Sequence, residues 1–305
     1  MTFRRSIILV RVALGLMTLA SPSLAEPATG AVFAEPSEPR LPIEEAQRPL
    51  TLPRFVLDPT ANLELTRLEA NDAYGNLTGS LSFGITDDLV LRALVLPLQL
   101  AGPGESAFHY GQTSGTRGPS IGATYRVVRG SFEVGLGLDL RVFTAANITG
   151  GAIIPTVPMR IHVGEHLRID TAVTVQITRA TTTASGTTTI VNPGGDNDIE
   201  TTTSVATGDN TNSLRIPISA LYNVTPSLYL GVTSGVTIDR IKHPDTSTGV
   251  PLGVFAGYTL AGKSGPVLDV EPFFTFPYFV TSGANSPTNT GEYLVGLNVR
   301  AFLYL

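Results

Sequence analysis

From residue 63 to residue 305, apolar and polar side chains alternate with a period of two, the mark of strands whose two faces meet different surroundings. The alternation is clearest over residues 132–142. There Phe132, Val134, Leu136, Leu138, Leu140 and Val142 fall on one face, and Glu133, Gly135, Gly137, Asp139 and Arg141 on the other. The stretch before it sets Ile121, Ala123, Tyr125 and Val127 against Ser120, Gly122, Thr124 and Arg126, and Val128-Arg129-Gly130 makes a tight turn between the two. Similar patterning predicts strands over 63–67, 77–83, 89–100, 153–163, 167–178, 214–224, 228–239, 250–260, 266–280 and 293–305, about twelve in all.

These segments run for about ten residues or more, enough to cross a bilayer at a tilt, whereas strands of soluble proteins average about half that. Short turns at 84–88, 128–130, 164–166, 224–227 and 260–265 separate longer loops at 101–117, 179–212, 240–248 and 281–291. Transmembrane barrels show this asymmetry, with short periplasmic turns and long outer loops. The expected fold is all-β, a transmembrane antiparallel up-and-down barrel over 54–305, with both termini periplasmic. Strand direction then places Phe83, Tyr125, Tyr222 and Tyr258 on the apolar face near the short turns, and Phe276, Tyr278 and Tyr293 near the long loops. Such rings form girdles at the two lipid interfaces. Pro155, Pro158, Pro217, Pro251 and Pro272 fall inside proposed strands, so bulges or departures from the sheet are expected there.

Composition supports a lipid-facing surface. Hydrophobic residues make up 42% and charged residues 15% of the chain, and mean hydropathy is +0.20, apolar for a soluble protein. Arg4 and Arg5, the apolar stretch 7–20 broken at Arg11, and Ser23-Leu24-Ala25 read as a cleavable secretory signal over 1–25. A permanent membrane helix is the competing reading, but the uninterrupted apolar run is short for a bilayer. No later segment offers a long uncharged apolar run, which leaves a closed barrel as the way to span a membrane. Residues 26–53 are rich in proline and acid, including Glu35, Glu38, Glu44 and Glu45, and suit an extended periplasmic tail or, alternatively, a plug in the lumen. With a net charge of -5 and no cysteine, the chain offers no basic field for nucleic acid, no disulfide framework and no thiolate chemistry.

If the apolar stripes face lipid, the lumen receives Arg92, Arg126, Arg141, Arg160, Arg168, Arg215 and Arg300, with Glu133, Asp139, Asp170, Asp239, Asp269, Glu271 and His162. Mixed charges in a narrow barrel either pair into a lattice that fills it or line a water column and select among solutes. A lipid hydrolase would need a serine activated by histidine, and only His109, His162, His166 and His243 are available. His162 has no serine two residues on, and His109 and Ser114 lie in a loop. Asp196, Asn197, Asp198 and Glu200 beside Gly194 and Gly195 could ligate calcium, although their spacing is not that of an EF-hand and a solvated loop is the simpler reading. No cofactor fingerprint is present.

The C-terminal stripe Tyr293, Val295, Leu297, Val299, Ala301, Leu303 and Leu305 resembles the assembly signal of bacterial outer-membrane proteins, with Leu305 where phenylalanine is usual. The resemblance implies outer-membrane lipid and the barrel-assembly machinery as partners. Across 63–305 the plan looks like a porin-like barrel. Residues 83–91 (Phe83-Gly84-Ile85-Thr86-Asp87-Asp88-Leu89-Val90-Leu91) are similar to a hairpin of outer-membrane transporters of the phenol meta-pathway type, which implies uptake of small molecules. The expected function is a passive or weakly selective channel for small solutes. The alternatives are a closed structural or surface-binding, adhesin-like barrel, an outer-membrane lipid hydrolase, and a soluble exported β-sandwich.

Overall fold

A computed structural model describes residues 41–67, 73–100, 108–110, 118–145, 148–190, 199–241, 247–282 and 290–305. The expected signal sequence and residues 26–40 of the expected tail lie outside them. The strands are β1 (Val56–Arg67), β2 (Ala73–Gly84), β3 (Leu89–Leu100), β4 (Phe108–Tyr110), β5 (Ser120–Val128), β6 (Phe132–Ala145), β7 (Ile148–Val163), β8 (Leu167–Ile190), β9 (Ile199–Asn223), β10 (Leu228–Asp239), β11 (Ser247–Gly262), β12 (Gly265–Thr281), β13 (Tyr293–Ala301) and β14 (Leu303–Tyr304). Each pairs antiparallel with its sequence neighbour, except that β3 pairs with both β4 and β5. β13 and its continuation β14 pair with β1, which closes the sheet. The result is a closed 12-stranded up-and-down barrel with β4 as an extra strand.

The two faces differ as the alternation requires. Tyr125, Tyr222 and Tyr258 are each 51% exposed on the outer face, and each stands opposite the residue that opens the next or preceding hairpin arm: Leu89, Leu167 and Leu228. They therefore lie at one height beside the short turns. Phe83 shares their face and end, opposite Leu57 and Leu91. At the other end Phe276 pairs with outward Leu252, and Tyr293 stacks on Phe274 at 5.7 Å with the Arg67 guanidinium 5.8 Å from its ring centre.

Several expectations are corrected. Tyr278 does not join the outer aromatics. β12 carries extra residues between Val280 and Phe276, where it pairs with Val250 and Leu252 of β11. Three residues of β12, 277–279, there stand against one of β11, Pro251, and Tyr278 at the centre of this bulge turns its ring against the lumenal side of Gly249 while Phe276 and Val280 keep their facing. The expected loop 179–212 is largely a hairpin, since β8 and β9 stay in register out to Ile190 and Ile199. Threonine explains the change: Thr187 and Thr188 pair with Thr202 and Thr201, and β-branched residues favour strands even where polarity reads as loop. Asp196, Asn197 and Asp198 lie outside the described residues, and Glu200 belongs to β9. The prolines stay within strands, at gaps in one ladder. Pairing of β7 with β8 skips from Ile153 to Thr156 across Pro155, and pairing of β8 with β9 skips from Ile218 to Arg215 across Pro217.

Candidate functional site

Among the described residues the deepest burial lies where residues 41–53 enter the short-turn end of the barrel. Leu41 and Leu52 pack with Val56, Val90 and Phe302, and Ala46 packs with Leu221, Tyr229 and Phe255. The segment is held by a single 3-10 turn, Glu45–Gln47, and by its contacts with the wall. Residues 41–53, the described part of the expected tail and here the plug segment, thus pack against lumenal side chains of the wall. A polar chain can be buried only if its backbone groups find partners, and the wall supplies them. Asn223 accepts from the Ala46 amide at 2.8 Å, Glu133 from the Leu50 amide at 2.6 Å, and Asp87 from the Arg54 amide at 3.0 Å. Arg160 donates to the carbonyls of Arg48 and Pro49 at 2.8 and 2.7 Å, and the His162 ring bonds the Ala46 carbonyl at 2.7 Å.

Two plug side chains carry charge into this setting. Arg48 pairs with Asp269 of β12, adds Thr259 of β11 at 3.2 Å, and lies 4.9 Å from the Phe302 ring centre. Glu45, three residues before it, pairs with Arg48, with Arg168 at 3.1 Å and with Arg300 at 3.6 Å. Burial alone would raise the Glu45 carboxyl, but the guanidinium groups of Arg48, Arg168, Arg300 and Arg160 outweigh it and hold the carboxyl down at about 2. Wall carboxylates complete the network: Asp170 pairs with Arg160 at 2.6 Å and with Arg168 at 2.9 Å, and Asp58 with Arg300 at 2.9 Å. At the plug's far end Asp88, in the β2–β3 turn, is held by Arg129 and by Arg126 at 3.0 Å. Hydrogen bonds from Arg129 lower the Asp88 carboxyl against the effect of its burial.

Of the expected lumen residues, Arg126, Glu133, Arg160, His162, Arg168, Asp170, Asp269 and Arg300 are brought together around the plug. Arg92 and Asp139 pair with each other at 3.1 Å, reaching across β5 at Gly122, where a Cβ would strike the Asp139 carboxylate. Glu271 accepts from the Tyr229 hydroxyl and the Asn298 amide, each at 3.0 Å. Arg141, Arg215 and Asp239 lie farther along the strands toward the long loops. Sequence reasoning passed over Arg48, Tyr229, Asn223 and Thr259. The available signal was Glu45 and Arg48 at a spacing of three between Pro42 and Pro49, a charged pair on one short turn. Among the described residues no cluster of three potential metal-ligating side chains occurs.

On the long-loop side of Glu45 lies a cavity of ≈ 330 Å³, bordered by Arg168, Arg300, Leu221, Phe255, Phe273 and Glu271. Leu221, Gly231, Phe255, Phe273 and Gly296 form one row of Cα partners across β9 to β13. A Cβ at Gly231 would overlap the Phe255 ring, and one at Gly296 the Phe273 ring. Both rings are thus laid along the wall over glycines, which keeps the centre of the lumen open at this height.

No family model and no curated protein matches the chain. Among solved structures, an outer-membrane channel from Pseudomonas putida F1 aligns with a TM-score of 0.54 at 12% identity, over 83% of this chain and 97% of that one. The translocator domain of the autotransporter NalP from Neisseria meningitidis aligns at 0.46 and 10% identity, over 82% and 88%. The KdgM porin in complex with disordered oligogalacturonate aligns at 0.43 and 11%, over 80% and 98%. With the channel from Pseudomonas putida the likeness is one of fold: the chain has the architecture of an outer-membrane β-barrel.

Proposed function

We propose that the protein is an outer-membrane channel for small solutes whose short-turn, periplasmic mouth is held shut by its own residues 41–53. The observation that carries this reading is the burial of Glu45 and Arg48 against charged groups of the wall, through side-chain pairs that can separate without breaking any strand pairing. Beyond the plug the strands carry charged side chains such as Arg141, Arg215 and Asp239 toward the long loops, as a water-filled path requires. The channel from Pseudomonas putida F1 offers the same architecture in support. The resemblance of residues 83–91 to transporters of the phenol meta-pathway type agrees with uptake of small molecules.

A second reading follows from the same contacts: a permanently closed barrel in which the plug serves as core and outer parts such as the β8–β9 hairpin make contacts. Planar-bilayer conductance separates the two. The full chain is expected to conduct rarely, and a chain lacking 41–53 to give steady, discrete openings. Silence from a folded plug-less barrel overturns the channel reading.

A further inference from the structure

We infer that the cavity above the plug binds a small organic anion with an apolar body, its carboxylate taking the place of Glu45 on Arg168 and Arg300. The cavity joins two unlike surfaces. One is apolar, formed by Leu221, Phe255 and Phe273. The other is the Arg168–Arg300 pair, which already converges on a carboxylate, that of Glu45, at 3.1 and 3.6 Å. Guanidinium groups held in this way suit a planar oxygen acceptor. Glu45 is thus a tethered occupant of an anion site, and a solute arriving from the long-loop side reaches its partners from the open face.

The site fits a carboxylate for a second reason. Arg300 is hydrogen-bonded to another wall carboxylate, Asp58, at 2.9 Å, and Arg168 has Asp170, itself bound by Arg160, at an ion-pair distance of 2.9 Å. They therefore keep their positions when Glu45 departs, so the site is preorganised for the replacement. The remaining nearby acid, Glu271, lies on β12 beside the β13 strand that carries Arg300, and its carboxylate is already engaged by Tyr229 and Asn298. Exchange also removes one of the contacts of Arg48, since Glu45 pairs with it as well. Its consequence for transport rests on the channel reading above: binding of the anion loosens the plug that blocks its passage, so the solute promotes its own entry.

The test is calorimetric titration of the folded full-length protein in nanodiscs with cyclohexanecarboxylate, and with neutral cyclohexanecarboxamide as control. The acid is expected to bind and the amide not. Glu45→Gln, which removes the tethered competitor, is expected to bind the acid about tenfold more tightly, the worth of one charge-assisted contact. Arg168→Gln should abolish binding, and Ser219→Phe, which fills the cavity and alters no charge, should do the same. Heat-modifiable gel migration confirms that each variant is folded. Equal binding of acid and amide, or no gain in Glu45→Gln, overturns the assignment. Conductance of the plug-less chain keeps the two proposals apart: conduction without binding defeats this site alone, and binding without conduction defeats the channel reading alone.

Discussion

Arg48 and Asp269 are 221 positions apart in sequence and form a two-pronged ion pair, with the second prong at 3.1 Å and both side chains withdrawn from solvent. Removing one partner of such a pair leaves a buried charge unanswered, at about 3–5 kcal/mol. Arg48→Met should therefore loosen the plug and raise channel open probability. Asp269→Leu added to Arg48→Met should recover much of the loss, since the pair is then replaced by apolar contact. A double-mutant cycle read by denaturant-induced release of the plug checks both.

Acid should release the plug only well below the ordinary carboxylate range. The Glu45 carboxyl is depressed to about 2 from 4.5. A depressed carboxyl contributes stability that is fully present above its unfolded value and is lost as pH falls through its folded one. Plug docking, followed by proteolysis near residue 54 or by conductance, should thus hold at pH 5 and weaken between about pH 4.5 and 2. Glu45→Gln should flatten that dependence.

Where the plug leaves the lumen, Phe55 adopts a left-handed backbone with φ 62 and its amide donates to the Gly84 carbonyl at 2.8 Å. A Cβ on Gly84 would overlap the Pro53 carbonyl. Gly84→Ala should then displace the plug's exit, at a cost of about 1–3 kcal/mol for overpacking against backbone. A lowered unfolding midpoint with barrel strands intact by circular dichroism is the expected result.

Gly231→Val should lift the Phe255 ring from the wall into the lumen. In the chain lacking 41–53, unit conductance should fall while folding is retained. Unchanged conductance would show that this height does not limit passage.

The chain contains no tryptophan, so Tyr222→Trp and Tyr258→Trp each introduce a single reporter. Both should be quenched most strongly by lipids brominated near the headgroup, since aromatic belts sit at the interface. Tyr278→Trp should be insensitive to brominated lipid at any depth, because its ring lies over Gly249 on the lumenal side.

The barrel was legible in the sequence because lipid and lumen impose opposite demands on alternate residues, and each strand records this locally. The stretch from Phe132 to Val142 needs no distant partner to be read. The plug was not legible in the same way. Its contacts join Ala46 to Asn223 and Leu50 to Glu133 across long separations, and one 3-10 turn leaves no period to detect. Glu45 reads as one more acid in a Pro-rich stretch, and its spacing of three from Arg48 is a single pair too short to set a pattern. Tyr278 was misplaced because a bulge changes the facing of residues without disturbing the apolar pattern that suggests a regular strand.

The closure of β13 on β1 also bears on the order of assembly. Leu305 donates its amide to the Phe55 carbonyl at 3.0 Å, so the end of the chain meets the point where the plug begins its path into the barrel. Arg48 and Glu45 are made early, yet Asp269 and Arg300 belong to the last strands of the barrel. Contacts of such separation form late. The pairs of Arg48 with Asp269 and of Glu45 with Arg300 therefore form only once β12 and β13 are in place, so that complete seating of the plug marks a closed barrel.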